Sequence, residues 1–252
     1  MIIDRIFYTL ARRWLLFINL AVGIYVALPI LAPVLMNAGM TGPANLLYRA
    51  YSPMCHQLAS RSFFLFGEQP AYPRAIAGSS LTPIEAFMPG IPEFAEASAD
   101  PAQWSTFLLP ARAFRGNEQM GYKMAICQRD IGIYLSILVG GLIYGVLRRR
   151  GPVKPLPFWL FLIIGLGPIA LDGFSQLFSQ MFVGLGMESL TNLFPLRESS
   201  PLLRSLTGVI MGLSVVWLIY PRLDEQFTMT ANDIGRRLAA REAAADATLP
   251  VD

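Results

Sequence analysis

The chain has 252 residues, 54% of them hydrophobic and only 15% charged, with a mean hydropathy of +0.47. Soluble domains carry roughly 25% charge, and here the apolar residues come in long blocks, so a water-soluble enzyme of one or two domains is excluded. One His and two Cys leave no room for a His-rich centre or for a disulfide scaffold beyond a single bridge.

Four blocks approach the roughly 20 helical residues that a bilayer crossing takes: 14–36, 131–147, 156–171 and 206–220. The first carries no charge, and it is too long and lacks the small-residue cleavage site of a removable signal peptide. The short third and fourth blocks must borrow flanking turns. Orientation follows from Lys and Arg, because cytoplasmic connections hold their excess. Residues 1–13 carry Arg5, Arg12 and Arg13; the 148–155 loop carries Arg148, Arg149, Arg150 and Lys154; the 221–252 tail carries Arg222, Arg236, Arg237 and Arg241. All three are expected in the cytoplasm, in a multi-pass protein of the inner (plasma) membrane with both termini inside. This placement accounts for the net charge of +3 and the pI near 9.0 without nucleic acid, since the basic residues sit at membrane edges with no interleaved exposed aromatics. The expected fold is all-α, a polytopic four-helix bundle in the lipid bilayer with an irregular extracytoplasmic loop.

Residues 37–130 and 172–205 then lie outside. Between 67 and 117 come Pro70, Pro73, Pro83, Pro89, Pro92, Pro101 and Pro110, which reads as an irregular surface excursion. Residues 44–66 hold Tyr48, Tyr51, Phe63, Phe64 and Phe66 and suit an interfacial helix. The Ala-rich stretch 231–245 suits a short exposed helix or a disordered tail.

The chemistry concentrates at two points on the expected outer face. Cys55, His56 and Gln57 are consecutive, with Arg61 close behind, and Cys127 precedes Asp130 at the start of the second span. Residues three apart on a helix share a side, and a helix N-terminus favours thiolate and carboxylate. Cys55, His56, Cys127 and Asp130 together are a tetrahedral zinc set, with copper(I) a softer alternative given Met54 and Met124. Competing readings are a Cys55–Cys127 disulfide, Asp130 as a plain N-cap, and His56 as a hydrogen-bonded interfacial residue. Asp172 ends an apolar run, and a carboxylate in that position is a functional hypothesis whose expected partner is Arg204 or Arg61. Pro168 and Gly173 around it suggest a broken helix end. Gly208 and Gly212, like Gly140, Gly141 and Gly145, favour close helix packing.

Taken together, Cys-His-Gln with a following Arg-Ser, Cys-x-x-(Cys/Asp)-x-Gly-Ile-Tyr, Asp-Gly-x-x-Gln and Glu-Ser-x-x-x-x-Arg-x-x-Thr-Gly resemble a family of prokaryotic integral membrane proteins of unknown function. The resemblance covers residues 52–66 and 127–220 and implies a small helical membrane domain with Cys55, His56, Cys127, Asp172 and Arg204 at matching positions. That family commonly has a second Cys where this chain has Asp130. The change removes the partner of a dithiol redox centre and leaves zinc ligation open, since carboxylate can replace thiolate. The Pro-rich excursion has no counterpart in it.

The leading expectation is an extracytoplasmic metal site serving metal-assisted hydrolysis, with Asp172, Arg204, Arg61 and Gln57, beside Gln176, as supporting or acid–base groups. The alternative is a non-enzymatic accessory subunit of a larger membrane complex, stapled by the Cys55–Cys127 bridge. Thiol–disulfide exchange with a quinone ranks last, for want of a second Cys pair.

Overall fold

The computed structural model describes residues 2–246. Helix α1 (Ile2–Arg12) leads through Arg13 into α2 (Trp14–Asn37), and α3 (Thr41–Tyr51) follows. Strands β1 (Ser62–Leu65), β2 (Gly116–Asn117) and β3 (Gly121–Cys127) form a small antiparallel sheet in the order β1-β3-β2, with α4 (Trp104–Ala113) just before β2. Then come α5 (Gln128–Leu147), α6 (Phe158–Gly184), α7 (Glu188–Leu193) and α8 (Pro201–Asp246). Among the described residues, helices α2, α5, α6 and α8 are the four long and apolar enough to cross a membrane. The sheet is a departure from an all-α fold: residues 44–66 do not continue as one interfacial helix but leave α3 at Tyr51 and reach β1.

Glycine sets how closely the bundle packs. A Cβ on Gly208 would fall 2.4 Å from the Arg129 carbonyl oxygen, and one on Gly132 would fall 2.6 Å from that of Ser205. Helices α5 and α8 therefore meet backbone to backbone, the contact that small residues permit where lipid gives no hydrophobic drive between helices. Helix α6 contains a wide π turn over Phe161–Leu166, closed by the Gly167 N–H donating to the Leu162 carbonyl. Pro168 explains it: the ring has no N–H to give the preceding turn and crowds its carbonyl, and widening the turn relieves both. The helix then runs on unbroken to Gly184, so Asp172 lies inside α6 rather than at a broken end.

Helix α1, the 148–157 link and the far half of α8 gather at one end of the bundle, called here the termini end. Trp14 stacks on Phe227 at 5.6 Å and meets Tyr220 edge-on at 5.5 Å. Asp224 accepts from Trp14 Nε1 at 3.1 Å, Tyr144 Oη at 3.3 Å and Arg148 at 2.6 Å. Helix α1 lies along the continuation of α8, tied by the Asp4–Arg241 ion pair at 2.9 Å. Residues 231–245 thus belong to α8; the last part of the expected tail, 247–252, lies outside the described residues.

At the opposite end, the cysteine end, the Pro-rich stretch is packed rather than irregular. Tyr72, Ile84, Met88, Ile91, Phe94, Phe107, Phe114 and Met120 form a buried apolar cluster of its own. Pro83, Pro89 and Pro92 sit at the starts of short 3-10 turns, where a fixed φ helps and a missing N–H costs nothing. The guanidinium of Arg74 is buried in this cluster over the Phe107 ring at 3.9 Å and pairs with Glu85.

Candidate functional site

Strand β3 passes directly into α5, which makes Cys127 the N-cap residue with extended φ −77 and ψ 165. Its Sγ donates to Asp130 Oδ2 at 3.1 Å, so thiol and carboxylate share the positive end of the helix dipole. Cys55 follows α3 in a turn held by its neighbour but one. Gln57 takes a left-handed φ of 53, its N–H donates to Cys55 Sγ at 3.4 Å, and its side-chain amide donates to the Tyr48 and Ala125 carbonyls at 2.8 Å each. That amide sews the Cys55 turn to both α3 and β3. The outcome is a trio: Cys55 Sγ, Cys127 Sγ and an Asp130 carboxylate oxygen lie within 4.8 Å of one another. Both cysteines are free. The neighbouring Cys127 thiol holds the Cys55 pKa below the ordinary thiol value against the opposing effect of burial. The same contact, with burial, pushes Cys127 well up. Cys55 is therefore the first to become thiolate, and a cation between the two sulfurs would release the second proton.

Beneath this turn lies a lysine that composition and motifs did not single out. Lys123 is fully buried on β3, and its ammonium donates to the carbonyls of Gln57 at 2.6 Å, Arg112 at 2.8 Å and Ala111 at 3.2 Å. It thereby clamps the cysteine turn to the last turn of α4. Burial, with Arg115 adding to it, lowers its pKa to about 7. The only trace in the sequence is one charge inside the strand Gly121–Cys127.

The second polar group sits where α5, α6, α8 and the 194–200 segment converge. Asp172 is paired with Arg129 and, at 3.3 Å, with Arg197, and the Ser199 hydroxyl donates to it. Glu198 accepts from Arg61 and from Arg204, each at 3.1 Å. Gln176 joins the halves: its amide donates to the Asp172 backbone carbonyl at 2.9 Å, and its Oε1 accepts from Arg204 at 2.7 Å. The partners expected for Asp172, Arg204 and Arg61, are thus taken by Glu198. Spacing along the chain pointed to charges near the membrane edge. The backbone contact of α5 with α8 instead puts Arg129 beside α6, where Gly173 leaves room for its Nη1.

Of the four expected ligands, three meet. His56 is exposed and stands outside the trio, because the turn that buries Cys55 and Gln57 points the residue between them outward. Gln57 does not join Asp172, since its amide is spent within the cysteine turn. Arg61 and Arg204 do reach the Asp172 region, through Glu198 and Gln176, and Arg129 of that region is next to Asp130 of the trio, so the two polar groups adjoin. Arg129 and Arg197 were not anticipated, and Glu198 stood only as the first residue of a motif with no role assigned to it. Their signal was available as charged residues flanking the second and fourth spans.

Four long apolar helices, with large apolar side chains such as Leu20, Ile24, Leu142, Ile163 and Leu171 exposed along them, define a multi-pass membrane protein with a polar site at one end of its bundle. Residues 110–218 match a family described as a predicted membrane protein, DUF2085. Uncharacterized protein MJ1492 of Methanocaldococcus jannaschii is 30% identical over 175 residues, spanning 69% of this chain and 67% of that one. The chain belongs to this predicted membrane protein family. No solved structure matches. The family match takes in Cys127, Asp130, Asp172 and Arg204, while Cys55 lies before it.

Proposed function

We propose that Cys55, Cys127 and Asp130 hold a zinc ion on the extracytoplasmic side of the membrane, and that this centre serves hydrolysis. The observation that carries the reading is the 4.8 Å trio of two sulfurs and a carboxylate. Zinc–sulfur bonds near 2.3 Å and zinc–oxygen bonds near 2.0–2.2 Å suit ligand atoms at that mutual spacing. A zinc ion with three protein ligands and an open fourth position supplies Lewis acidity, whereas a closed four-ligand site is structural. His56, one residue from Cys55, is the only side chain of its kind that a loop adjustment would add. The neighbouring Asp172, Arg204 and Arg61 are then supporting groups at the edge of the centre, and Gln57 positions Cys55. Placement outside the cytoplasm is supported by Arg12, Arg13, Arg148, Arg149, Arg150 and Lys154 at the termini end.

Metal analysis of protein purified in detergent tests this. About one zinc per chain is expected, falling to background in Cys127→Ala and Cys55→Ala and surviving in His56→Ala. Absence of metal with both thiols titratable sinks the proposal. Absence of metal with no titratable thiol before reduction replaces it with the bridged accessory subunit.

A further inference from the structure

The arginine group beside the trio holds more positive charge than its structure uses. Arg61, Arg129, Arg197 and Arg204 face two carboxylates, Asp172 and Glu198. Adding Asp130, one residue from Arg129 and already engaged by Cys127, still leaves one positive charge in excess. An uncompensated charge at a membrane edge is costly, and buried donors without partners are rare. Yet Arg61 Nη2 and Arg129 Nε are both buried without a hydrogen-bond partner, and so is the acceptor Glu198 Oε2, on a side chain only 1% exposed. Exposure rises across the group, from 4% at Arg204 through 22% at Arg129 and 23% at Arg61 to 39% at Arg197, so Arg197 is its most accessible member.

We propose that this group is a binding site for a singly charged phosphate oxyanion that also carries a hydroxyl. Its oxygens accept from Arg61 Nη2 and Arg129 Nε, its charge cancels the excess, and its hydroxyl hydrogen goes to Glu198 Oε2. Guanidinium is suited to this because its planar fork matches phosphate oxygens. Both a phospholipid headgroup and free inorganic phosphate have this chemistry. The lipid source is favoured by a ladder of rings along α6 that ends on Phe194, three residues before Arg197. Phe174, Phe178 and Phe182 stack at 6.0 and 6.1 Å, Phe194 closes the row at 5.8 Å, and Phe174 and Phe178 are exposed. The site does not rest on the zinc reading, and its test is run in the presence of a chelator.

The full chain in detergent is titrated with dioleoylphosphatidylglycerol, with dioleoylphosphatidylcholine, and with inorganic phosphate, and bound ligand is read by native mass spectrometry and by the shift in melting temperature. Phosphatidylglycerol is expected to be retained over phosphatidylcholine, which has no headgroup hydroxyl and no net charge. Arg197→Gln and Arg129→Gln should each weaken retention by at least about tenfold, the scale of one lost charge-assisted contact. Arg236→Gln, at the other end of the molecule, should change nothing. Binding of inorganic phosphate alone, lost in the same two variants, supports the site with free phosphate as its source. Failure of both probes to bind, or binding indifferent to Arg197→Gln, overturns it. Arg197 is the most exposed of the four and decides the matter even where Arg129→Gln does not fold.

Discussion

At the termini end a single carboxylate, Asp224, serves Trp14, Tyr144 and Arg148 inside a cluster of aromatic rings. At the cysteine end two carboxylates share four guanidinium groups, with unpaired donors and two free thiols close by. Both ends close the same helices. The first gathers its donors on one carboxylate and packs rings around it, as a structural joint does, with Tyr220 Oη left as a buried unpaired atom. The second keeps two free thiols and an excess of guanidinium over carboxylate, features that stability alone does not select.

Removing a carboxylate at each end gives the largest contrast. Asp172→Asn leaves Arg129 and Arg197 unpaired at a nearly buried position, and about 3 kcal/mol should be lost. Asp224→Asn, at a side chain 23% exposed that keeps its hydrogen-bonding shape, should lose about 1 kcal/mol. Denaturant titration in detergent compares them, and equal losses would break the distinction between the two ends.

Gly208→Leu comes next. Its side chain must displace the Arg129 backbone, so about 2–3 kcal/mol of overpacking strain is expected, together with loss of thiol protection at Cys127. Gly42→Leu, with open space around its Cα, serves as the silent comparison. Unfolding midpoint and the rate of thiol labelling read both.

The third contrast is a pH dependence carried by Lys123 at the cysteine end. Lys123 has a folded pKa of about 7 against about 10.4 for an unfolded lysine. Between these values the unfolded chain binds the proton that the folded chain releases, so stability should rise as pH rises from about 7 to 10 in the metal-free protein. Lys123→Met should remove this slope while costing about 2 kcal/mol for the carbonyls it abandons. Melting temperatures at pH 7 and 9 measure both, and an unchanged slope in the variant would assign it elsewhere.

The apolar helices and the cysteine pair are legible in the sequence, but only part of each boundary and site is. The third apolar block stops at residue 171 because Asp172 follows it, with Ser175, Gln176 and Ser179 further on. On α6 three of these, Asp172, Gln176 and Ser179, are buried against the arginine group, so a polar stripe that faces protein resembles a terminus in any hydropathy window. The Pro-rich excursion misled in the opposite sense. Its prolines mark turns correctly, but turns separated by Tyr72, Ile84, Phe94 and Phe107 can fold around those residues. Lys123 was invisible because a buried lysine and a surface lysine are the same letter until three carbonyls from two other segments arrive.

What sequence alone determined is what a bilayer demands of any chain: runs of apolar residues long enough to cross, glycines where helices approach, and a charge bias between connections. These follow from local composition, because solvation by lipid acts on each segment separately. Tertiary structure alone decided which charges pair, that His56 turns outward, and that Cys55 and Cys127 meet. Such facts depend on the α5–α8 backbone contact and the turn at Gln57, which bring together residues dozens of positions apart, and Coulomb and hydrogen-bond energies answer to distance in space rather than to order along the chain.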